Sequence, residues 1–531
     1  MKNNRIDNKK VKNGKRLGLY CCDFNVTGEI RFLRRRECLE TFINVVTNIN
    51  NLVWALPLVI LCVAAGVFFT VLTKGCQFRL FKDMLKLIRE ENEESKEKGI
   101  SAFQSFAATV GSQVGMGNIA GVATAIYFGG PGAVFWMWLI ALLGAATAFA
   151  ESTMAQAYKD KVGDEYLGGA QLFITKGLHL KPLAYVFAVA AVLGPGTLMP
   201  GLQVYQIAST VESAFGVPEM IVGVLSVICI ALVVMGGIKR IGKVAELLAP
   251  VMCIIYLLMA IVIMGMNIGK VPGVFAAIFT SAFGANEMFG GILGAMISWG
   301  VKRGVYFNEA GQGSGGIVSA AAECSHPAKQ GLIQALSVFI DTIVVCSASA
   351  MIILCTDNYT VVDGAGNAIV HYTDSEYGAL WAQDAIYQFM GGWGSKLLAI
   401  MIALFVFTSL MGYYYQAESN MRFIFNDRKA GTWLMRGIFL VAVFSGVVVD
   451  GQTIWSMADL GVGLMAWVNI IALLLLWKKV KALLDDYETQ KKKGYDPMFD
   501  PNRFGIKDET GAWTTYVNKL KAREAAQSKK K

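Results

Sequence analysis

The chain has 531 residues, of which 55% are hydrophobic and only 16% are charged, and its mean hydropathy is +0.48. A soluble domain is about 45–50% apolar and about 25% charged, so this composition excludes a water-soluble globular protein and indicates a protein of the lipid bilayer. The net charge of +9 lies mainly in the two tails and a few loops, which indicates membrane orientation rather than nucleic-acid binding.

The first segment of the chain is basic rather than apolar. Residues 1–36 carry many Lys and Arg and have no apolar h-region, so they do not form a signal peptide. We interpret residues 1–38 as a basic N-terminal extension, either an unusual arm or, as we favour, a gene-model artefact. Residues 39–100 are predicted to hold an extra transmembrane helix, at about 51–73, and a cytoplasmic amphipathic segment.

About eleven stretches are apolar enough to cross a membrane, because a span needs about 20 apolar residues. After the first, they are predicted at residues 102–127, 133–157, 183–215, 220–234, 245–263, 275–310, 332–354, 380–419, 433–449 and 454–477. Alternate connections carry Lys and Arg, whereas the loop at 356–377 has four acids and no Lys or Arg. This asymmetry predicts a cytoplasmic C-terminus, with a solvated basic tail over residues 480–531.

The ten helices after the first divide into two groups of five, residues 101–268 and 269–479. Because five is odd, the groups have opposite topology, which is an inverted repeat typical of transporters. Each group begins with a glycine-rich stretch, GSQVGMGN at 111–118 and GGILG at 290–294. We therefore predict an all-α polytopic fold whose first and sixth core helices are broken. Close packing of helices on small residues is the alternative reading of these glycines.

Three segments carry a resemblance to a known family. The run GGPGAVFWMWLIALLG at 129–144 resembles, at every position, the signature of the alanine/glycine:cation symporter family. The segment GMGNIAGV at 115–122 resembles the family's GTGNIAGV, and residues 300–311 resemble its GVxRGxFSNEAGLGS segment. The likeness runs from about residue 51 to residue 477. The family is similar in fold to the LeuT-type sodium symporters.

The resemblance implies a function and a location. It implies a secondary active transporter of the cell (plasma or inner) membrane, which moves a small neutral amino acid, alanine or glycine, together with Na+ by alternating access. It also implies a monomer or weak oligomer in the lipid bilayer, with no nucleotide or nucleic-acid partner.

The resemblance implies a sodium ion between the first and eighth core helices. Its ligands would be the carbonyls of Gly111, Val114 and Phe405 and the hydroxyls of Thr408 and Ser409. Carbonyl and hydroxyl oxygens suit a hard cation. The residues themselves leave open that both hydroxyls bond back to their own helix, as Ser and Thr in membrane helices often do.

The resemblance also implies a substrate site at the two breaks. Backbone amides of the first break would hold the substrate carboxylate, while two glutamines and carbonyls of the second break would hold its ammonium group. The implied substrate-binding residues are Gln113, Gly115, Gly117, Asn118, Gln203, Ile292, Gly294, Ser409 and Tyr413. For Gln203, which lies mid-membrane, packing between helices is an equally open role.

The chain departs from the family at four positions of this region. Members usually carry Trp, Phe, Leu and Ser where this chain has Tyr413, Ile292, Gln312 and Phe307. Smaller groups at 413 and 292 would enlarge the side-chain compartment. A larger neutral amino acid such as glutamine, moved with sodium or protons, is therefore the alternative substrate. Sodium is favoured, because no Lys or Arg lies between residues 250 and 267 to replace the ion.

Several charged residues in or near the spans are further candidates. We expect Glu151 and Glu246 to form gating or structural ion pairs with Lys159 and Lys243. Asp341 is nearer mid-span and receives no role, although an intramembrane acid such as this is a candidate proton relay.

The basic pair Lys302 and Arg303, followed by Asn308 and Glu309, is interpreted as a cytoplasmic gate. A membrane-embedded enzyme or receptor is the distant alternative function. The sequence offers no mid-span His, no H-E-x-x-H and no G-x-S-x-G, so we expect no enzyme.

Overall fold

The computed structural model describes residues 43–89, 100–286 and 288–528, and in these residues almost all regular structure is α-helical. The predicted basic extension at 1–38 lies outside the described residues. The helices that precede the core are α1 (Ile43–Val53), α2 (Leu56–Leu72), α3 (Cys76–Arg79) and α4 (Phe81–Leu87). α1 and α2 are bent by 40° relative to each other.

The first half of the core begins with a broken helix. Its helices are α5 (Ala102–Gln113), α6 (Val122–Gly129), α7 (Gly132–Ala157), α8 (Ala170–Gly177), α9 (Lys181–Leu193), α10 (Pro200–Phe215), α11 (Glu219–Val234) and α12 (Gly237–Met266). Strands β1 (Asp160–Val162) and β2 (Glu165–Leu167) form an antiparallel hairpin in which Asp160 is opposite Leu167. π-helical turns at Gly117–Gly121 and Gly194–Leu198 interrupt the first and third spans, and such turns often mark functional positions.

The second half also contains a broken helix. Its helices are α13 (Val271–Ala282), α14 (Leu293–Asn308), α15 (Ser314–Ala320), α16 (Pro327–Val338), α17 (Ser347–Cys355), α18 (Ala379–Ile424), α19 (Lys429–Phe444) and α20 (Gly451–Leu475). The π-helical segment Phe339–Cys346 joins α16 to α17. Strands β3 (Thr360–Val362) and β4 (Ala368–His371) form a second antiparallel hairpin, the outer hairpin, within the predicted acidic loop. The chain ends in α21 (Trp477–Lys492) and α22 (Thr514–Ser528).

The prediction of one span over 275–310 is wrong, and so is the predicted position of the second break. Two separate helices, α13 and α14, occupy this stretch. The glycines at 290–294 form a single 3₁₀ turn that leads into the unbroken α14. The break comes after α14, where Glu309, Gly311 and Gly313 all have positive φ (55°, 87° and 93°). Three residues in the left-handed region within five positions cannot continue a right-handed helix.

The all-α polytopic class is confirmed. Seven helices in the described part of the chain are long and apolar enough to span a membrane, or eight if the bent α1–α2 pair is one span. Eleven crossings stay a prediction, because several proposed spans consist of short pieces. The pieces α5 and α6, for example, have 12 and 8 residues and reach the length of a span only together.

α7 is the helix against which α14, α15 and α16 pack. Glycines make these contacts close: a Cβ added to Gly331 would lie 2.8 Å from the Phe149 carbonyl oxygen, and one added to Gly300 would lie 2.7 Å from that of Ala133. Small residues are how membrane helices approach without a hydrophobic driving force between them. α7 therefore holds the segments on both sides of the second break at fixed positions.

The predicted solvated tail is folded as far as residue 528. We call residues 477–528 the C-terminal cap. Trp513 is 1% exposed and Phe499 is fully buried, and their rings meet edge to face at 4.8 Å between centroids. The Lys159 ammonium lies 4.6 Å from the centroid of the Trp513 ring. The cap thus has its own aromatic core, built partly against the loop after α7. Residues 529–531 lie outside the described residues.

Polar contacts join the C-terminal cap to the loop that connects α15 to α16. The Phe499 amide donates to the Ser325 carbonyl at 2.9 Å, and His326 Nε2 lies 3.2 Å from a carboxylate oxygen of Asp486. The Asp496 carboxylate accepts from Lys329 Nζ at 2.5 Å. Because this loop follows the second break, the cap contacts the chain directly after that break.

We expect Trp513→Ala to loosen the C-terminal cap selectively. Truncation of a buried Trp typically costs about 3–5 kcal/mol, which is comparable to the stability that a small cap can have. Limited trypsin digestion in detergent should therefore cleave residues 502–528 much faster in the variant, while the membrane core stays intact. The exposed Asn518 supplies the control, Asn518→Ala, which removes no trypsin site and should digest as the wild type does. Equal digestion of Trp513→Ala and wild type would show that the cap does not depend on this ring.

Candidate substrate and ion site

The first break leaves backbone amides that side chains hold in place. α5 ends where Val114 takes φ −75° and ψ 87°, outside the helical region. Asn118 Oδ1 accepts the Gly115 N–H at 3.0 Å, and Gln203 Oε1 accepts the Met116 N–H at 3.4 Å. Amides at a helix break otherwise lack partners and attract anions. The predicted substrate residues Gly115, Asn118 and Gln203 are therefore brought together at this break.

The second break is held by a buried carboxylate. Glu151 accepts the N–H groups of Gly311 at 3.2 Å, Gly313 at 3.0 Å and Gly316 at 2.8 Å. Asn469 Nδ2 donates to the same carboxylate at 3.0 Å. The amides lie in the break and in the first turn of α15, where the helix dipole also favours a negative charge. Glu151 therefore stabilises the shape of the second break.

The ion pairs expected for Glu151 and Glu246 are wrong in the described chain. Lys159 Nζ donates to the Ala322 carbonyl at 3.0 Å instead of pairing with Glu151. Glu246 accepts from Gln104 Nε2 at 3.0 Å, which ties α12 to the start of α5. Both acids satisfy backbone or amide donors, because the bends of the chain bring those donors closer than any lysine.

A set of buried hydrogen bonds joins the two breaks. Gln113 Nε2 donates to the Asn308 carbonyl at 2.7 Å, and Ser112 Oγ donates to Glu309 Oε1 at 2.7 Å. Gln416 Nε2, from α18, donates to Glu309 Oε2 at 3.1 Å. We call Ser112, Glu309 and Gln416 the central node. Asn308 and Glu309 therefore lie at the centre of the molecule rather than in a cytoplasmic gate.

The predicted sodium ligands from α5 and α18 lie together. Ser409 Oγ donates across the interface to the Gly111 carbonyl at 3.2 Å, and Thr408 Oγ1 donates to the Phe405 carbonyl of its own helix at 2.9 Å. A Cβ added to Gly111 would lie 3.2 Å from Thr408 Cβ, so the two helices nearly touch. Val114 is fully buried at the end of α5.

The predicted sodium ligands are all neutral oxygen atoms, which suit a hard monovalent cation. No group of three His, Cys, Asp or Glu that could hold a metal ion occurs in residues 43–89, 100–286 and 288–528. The arrangement therefore fits sodium and offers nothing to a transition metal. Thr408 bonds within its own helix, as the alternative reading expected, whereas Ser409 links two helices.

Several buried polar atoms around the breaks have no protein partner. They are Gln113 Oε1, Tyr306 Oη and Asn308 Nδ2. Nearby, Gln203 Nε2 donates to Tyr413 Oη at 3.2 Å. Buried polar atoms are nearly always paired, so unpaired donors and acceptors in one place are positions for a polar ligand. Tyr306 is a member of this group that the sequence did not reveal.

Two predicted substrate residues do not lie at the site. Ile292 precedes α14, and that helix of 16 residues is about 24 Å long and separates Ile292 from the second break. Gly294 is exposed, and a Cβ added there would meet no atom within 4 Å. Both predictions fail because the break follows α14 instead of preceding it.

The family departures change the site less than expected. Gln312 points to α14, where its Nε2 donates to the Val305 carbonyl at 2.6 Å. Phe307 packs on the first break, and a Cβ added to Gly117 would lie 2.8 Å from its ring. Of the four departures, Tyr413 and Phe307 therefore shape the site. A tyrosine in place of tryptophan frees volume, and a phenylalanine in place of serine fills it.

The basic pair of α14 forms an ion cluster near the outer hairpin. Arg303 donates to both carboxylate oxygens of Asp459, at 2.7 Å and 3.1 Å, and Lys302 Nζ lies 2.6 Å from Asp459 Oδ2. The Arg303 guanidinium lies 4.6 Å from the Trp455 ring centroid and 5.0 Å from that of Trp299. Both tryptophans line a cavity of about 630 Å³ shared with the outer hairpin. This position conflicts with a cytoplasmic gate, because the charge pattern of the loops predicts that the 356–377 loop, which contains the outer hairpin, lies on the side opposite the C-terminus.

Gln416 and Asp459 were not among the predicted site residues, but a pattern in the sequence could have identified them. Gln416 lies about two turns after Ser409, on the same face of α18, and Asp459 is an acid within an apolar helix. A polar or acidic residue inside a membrane span is a functional candidate by default. That rule applied to every span would have found both residues, though not their partners.

Comparisons with known proteins show what the chain is similar to. A profile described as the sodium:alanine symporter family matches residues 39–501. The sodium/proton-dependent alanine carrier protein of Bacillus sp. strain PS3 is 44% identical over 419 residues, 78% of this chain and 94% of that protein. A Bacillus subtilis protein named "Probable sodium/glutamine symporter GlnT" is 40% identical, covering 85% of this chain and 91% of its own length. The sodium/alanine symporter AgcS of Methanococcus maripaludis is 36% identical over 82% of this chain and 95% of that protein.

We expect Gly121→Ala to disturb the first break through Phe307. A Cβ at Gly121 would collide with the tip of the Phe307 ring, and overpacking of this kind costs about 1–3 kcal/mol. Thermal unfolding in detergent should show a lower melting temperature for Gly121→Ala, and most of this loss should disappear in the Phe307→Ala background. Gly265→Ala is the matched control, because a Cβ there meets nothing within 4 Å. Additive effects of the two substitutions would contradict the contact.

Proposed function

The chain belongs to the sodium:alanine symporter family, and from that membership we propose that it carries a small neutral amino acid, alanine or glycine, across the membrane with sodium. The family consists of symporters, so the protein is a transporter of the multi-pass membrane class. Its location in the plasma or inner membrane, with the C-terminus in the cytoplasm, is part of the proposal, as are the absence of an enzymatic reaction and a monomeric or weakly oligomeric state.

One observation carries the proposal. Two broken helices meet at the centre of the molecule, and unpaired polar atoms of Gln113, Tyr306 and Asn308 remain beside them. A free amino acid has a carboxylate and an ammonium group close together. The amides at Gly115 and Gly117 suit the carboxylate, and the oxygens of the glutamine and tyrosine side chains suit the ammonium group.

Sodium would couple to substrate through the first broken helix. The ion would bind to the carbonyls of Gly111, Val114 and Phe405 and to the hydroxyls of Thr408 and Ser409. Gly111 and Val114 end the α5 half of the helix whose next residue, Gly115, is part of the substrate site. An ion bound between α5 and α18 holds α5 in place and so pre-shapes the amides of the break. Sodium and substrate therefore reinforce each other's binding.

The outer ion cluster supports alternating access. Asp459 on α20 and Arg303 on α14 are joined by two hydrogen bonds and covered by aromatic rings. Opening the outer side requires α14 and α20 to separate, which breaks this buried pair. On the other side of the site, Glu246 and Gln104 join α12 to α5. The transport cycle would alternate between breaking the first contact and breaking the second.

Glutamine is the second candidate substrate. A relative named as a sodium/glutamine symporter is 40% identical, and Tyr413 is smaller than the tryptophan usual in the family. Phe307 reduces the volume of the substrate compartment, because it fills space against Gly117. Alanine or glycine is therefore favoured, and glutamine is the competitor that an uptake measurement has to include.

We expect purified protein in liposomes to accumulate labelled alanine when sodium is high outside, at a clamped membrane potential. Glycine should compete with alanine, and glutamine should compete poorly. Accumulation of glutamine in preference to alanine would overturn the assignment of substrate size, and no sodium-driven accumulation of any of the three would overturn the proposed function.

We expect Ser409→Ala and Thr408→Val to weaken sodium coupling. Removing one oxygen ligand from a cation costs about 1.5–3 kcal/mol, which corresponds to a roughly 10- to 100-fold higher sodium concentration for half-maximal uptake. Thr356→Val is the matched control, because Thr356 is also buried and bonds back to its own helix at Ile352 O, 2.8 Å away. Unchanged sodium dependence in Ser409→Ala and Thr408→Val would remove these hydroxyls from the ion site.

A further inference from the structure

Asp341 is a buried carboxylate with no charged partner in the part of the chain that the structure describes. It lies in the π-helical segment Phe339–Cys346 and is fully buried. Asn118 Nδ2 donates to its Oδ1 at 2.6 Å, and Thr342 Oγ1 donates to its Oδ2 at 2.8 Å. No ion pair joins Asp341 to any Lys, Arg or His in the described ranges 43–89, 100–286 and 288–528. A buried carboxylate with neutral donors alone is costly, so it requires a positive charge or a proton.

The groups around Asp341 cannot supply that charge. The π-helical segment packs against α5, α7, α12, α14, α16, α17 and the first break. Among the described residues, the titratable groups that interact with Asp341 are Glu309, Cys253, Cys346 and Tyr413. Glu309 disfavours a second negative charge near it, and the protonated thiols and phenol are neutral, so none of the four balances the charge of Asp341. Within the described residues no side chain supplies the compensating charge, which points to a cation from outside the protein.

The contacts favour a proton over a metal ion. A hard metal ion needs several oxygen ligands in one place. The two oxygens of Asp341 face an amide nitrogen and a hydroxyl, and the Sγ of Cys346 lies 3.2 Å from the same Asn118 nitrogen. The amide oxygen of Asn118 points away, to the Gly115 N–H. Apart from the carboxylate itself, the protein oxygens recorded beside it in the described chain are Thr342 Oγ1 and the backbone carbonyl of Asp341. These are fewer than a hard metal ion needs, whereas one carboxylate oxygen is enough for a proton.

We propose that Asp341 binds a proton during the transport cycle, as a second coupling site separate from the sodium ligands on α5 and α18. This inference rests on the proposed transport of an amino acid through the first break. The site joins two π-helical turns, since Asn118 belongs to Gly117–Gly121 and Asp341 to Phe339–Cys346. Turns of this kind are rare and commonly mark functional positions.

Asn118 provides the physical link between the proton and the substrate. With Asp341 ionised, Asn118 Nδ2 donates to the carboxylate, and its Oδ1 accepts the Gly115 N–H at 3.0 Å. In this state the Gly115 N–H is already paired, so it cannot donate to a substrate carboxylate.

Protonation of Asp341 Oδ1 reverses the direction of the hydrogen bond between Asp341 and Asn118. The new O–H of Asp341 donates to Asn118 Oδ1, so the Asn118 amide group turns over. The Gly115 N–H then becomes free, and the Asn118 NH₂ group points into the break as a second donor. Both changes favour binding of a carboxylate, so proton and substrate bind together and leave together. The proton comes from water on one side and returns to water on the other, and no bond of the substrate is made or broken.

The test uses Asp341→Asn, which has the shape of the protonated acid and cannot release a proton. Protein in liposomes is given labelled alanine and a sodium gradient at clamped potential, while a trapped dye reports the internal pH. The wild type should acidify the interior as alanine enters, and its uptake should fall as pH rises. Asp341→Asn should still accumulate alanine with sodium, but without acidification and with a flat pH profile.

The matched control is Asp384→Asn, since Asp384 is a half-buried carboxylate that accepts from Ser375 Oγ at 2.5 Å, away from the breaks. This control should keep the acidification. Acidification that persists in Asp341→Asn, or a wild type that carries alanine without any proton movement, would overturn the proposal. A wild type that moves no amino acid would overturn the proposed function instead.

An infrared difference spectrum between low and high pH tests Asp341 without any transported substrate. The wild type should show the C=O stretch of a protonated carboxylic acid that disappears in Asp341→Asn and shifts in frequency in Asp341→Glu. Should Asp341→Asn fold poorly, Asp341→Glu keeps the site testable, because it retains the carboxyl group and moves only its position. A wild-type spectrum identical to that of Asp341→Asn over the pH range of the folded protein would overturn the proposal.

Discussion

Every feature of this protein depends on one constraint: inside a bilayer, each backbone N–H and C=O needs a partner within the protein. A helix meets this demand by itself, and a broken helix does not. At the first break the side chains of Asn118 and Gln203 accept the loose amides, and at the second break the carboxylate of Glu151 does so. The site is therefore built from helix ends that the rest of the fold supports. The same ends supply the polar groups that a zwitterionic substrate and a cation require.

The buried acids show how differently one chemical group can be used. Asp459 is neutralised by Arg303 and Lys302, so it joins α14 to α20. Glu151 is held by backbone amides and shapes a break. Asp341 has neutral donors alone, so a proton is the simplest way to balance its charge. The partners of each carboxylate, rather than its depth in the membrane, separate structural roles from coupling roles.

Close packing keeps these elements in register. Glycines on α14 and α16 let both helices approach α7, and Gly111 lets α5 approach α18. A sodium ion between α5 and α18 would act on contacts that are already close. The C-terminal cap extends this packing beyond the membrane core, because it contacts the loop between α15 and α16. Movement of the second broken helix is thus connected to the cap.

The sequence by itself determined the membrane class, most spans and the first break, because hydropathy and glycine spacing are local properties of the chain. The resemblance to a known family implied positions for Gln203, Tyr413, Thr408 and Ser409 near the first break; hydrogen bonds and close contacts hold them there, and their roles as ligands stay a prediction. Only the tertiary structure decided the position of the second break, which three positive φ angles create at 309–313 rather than the glycines at 290–294. It also decided which partner each acid has, which end of the molecule holds Arg303, and that the C-terminal segment folds. These are contacts between residues far apart in sequence, and no local pattern specifies them.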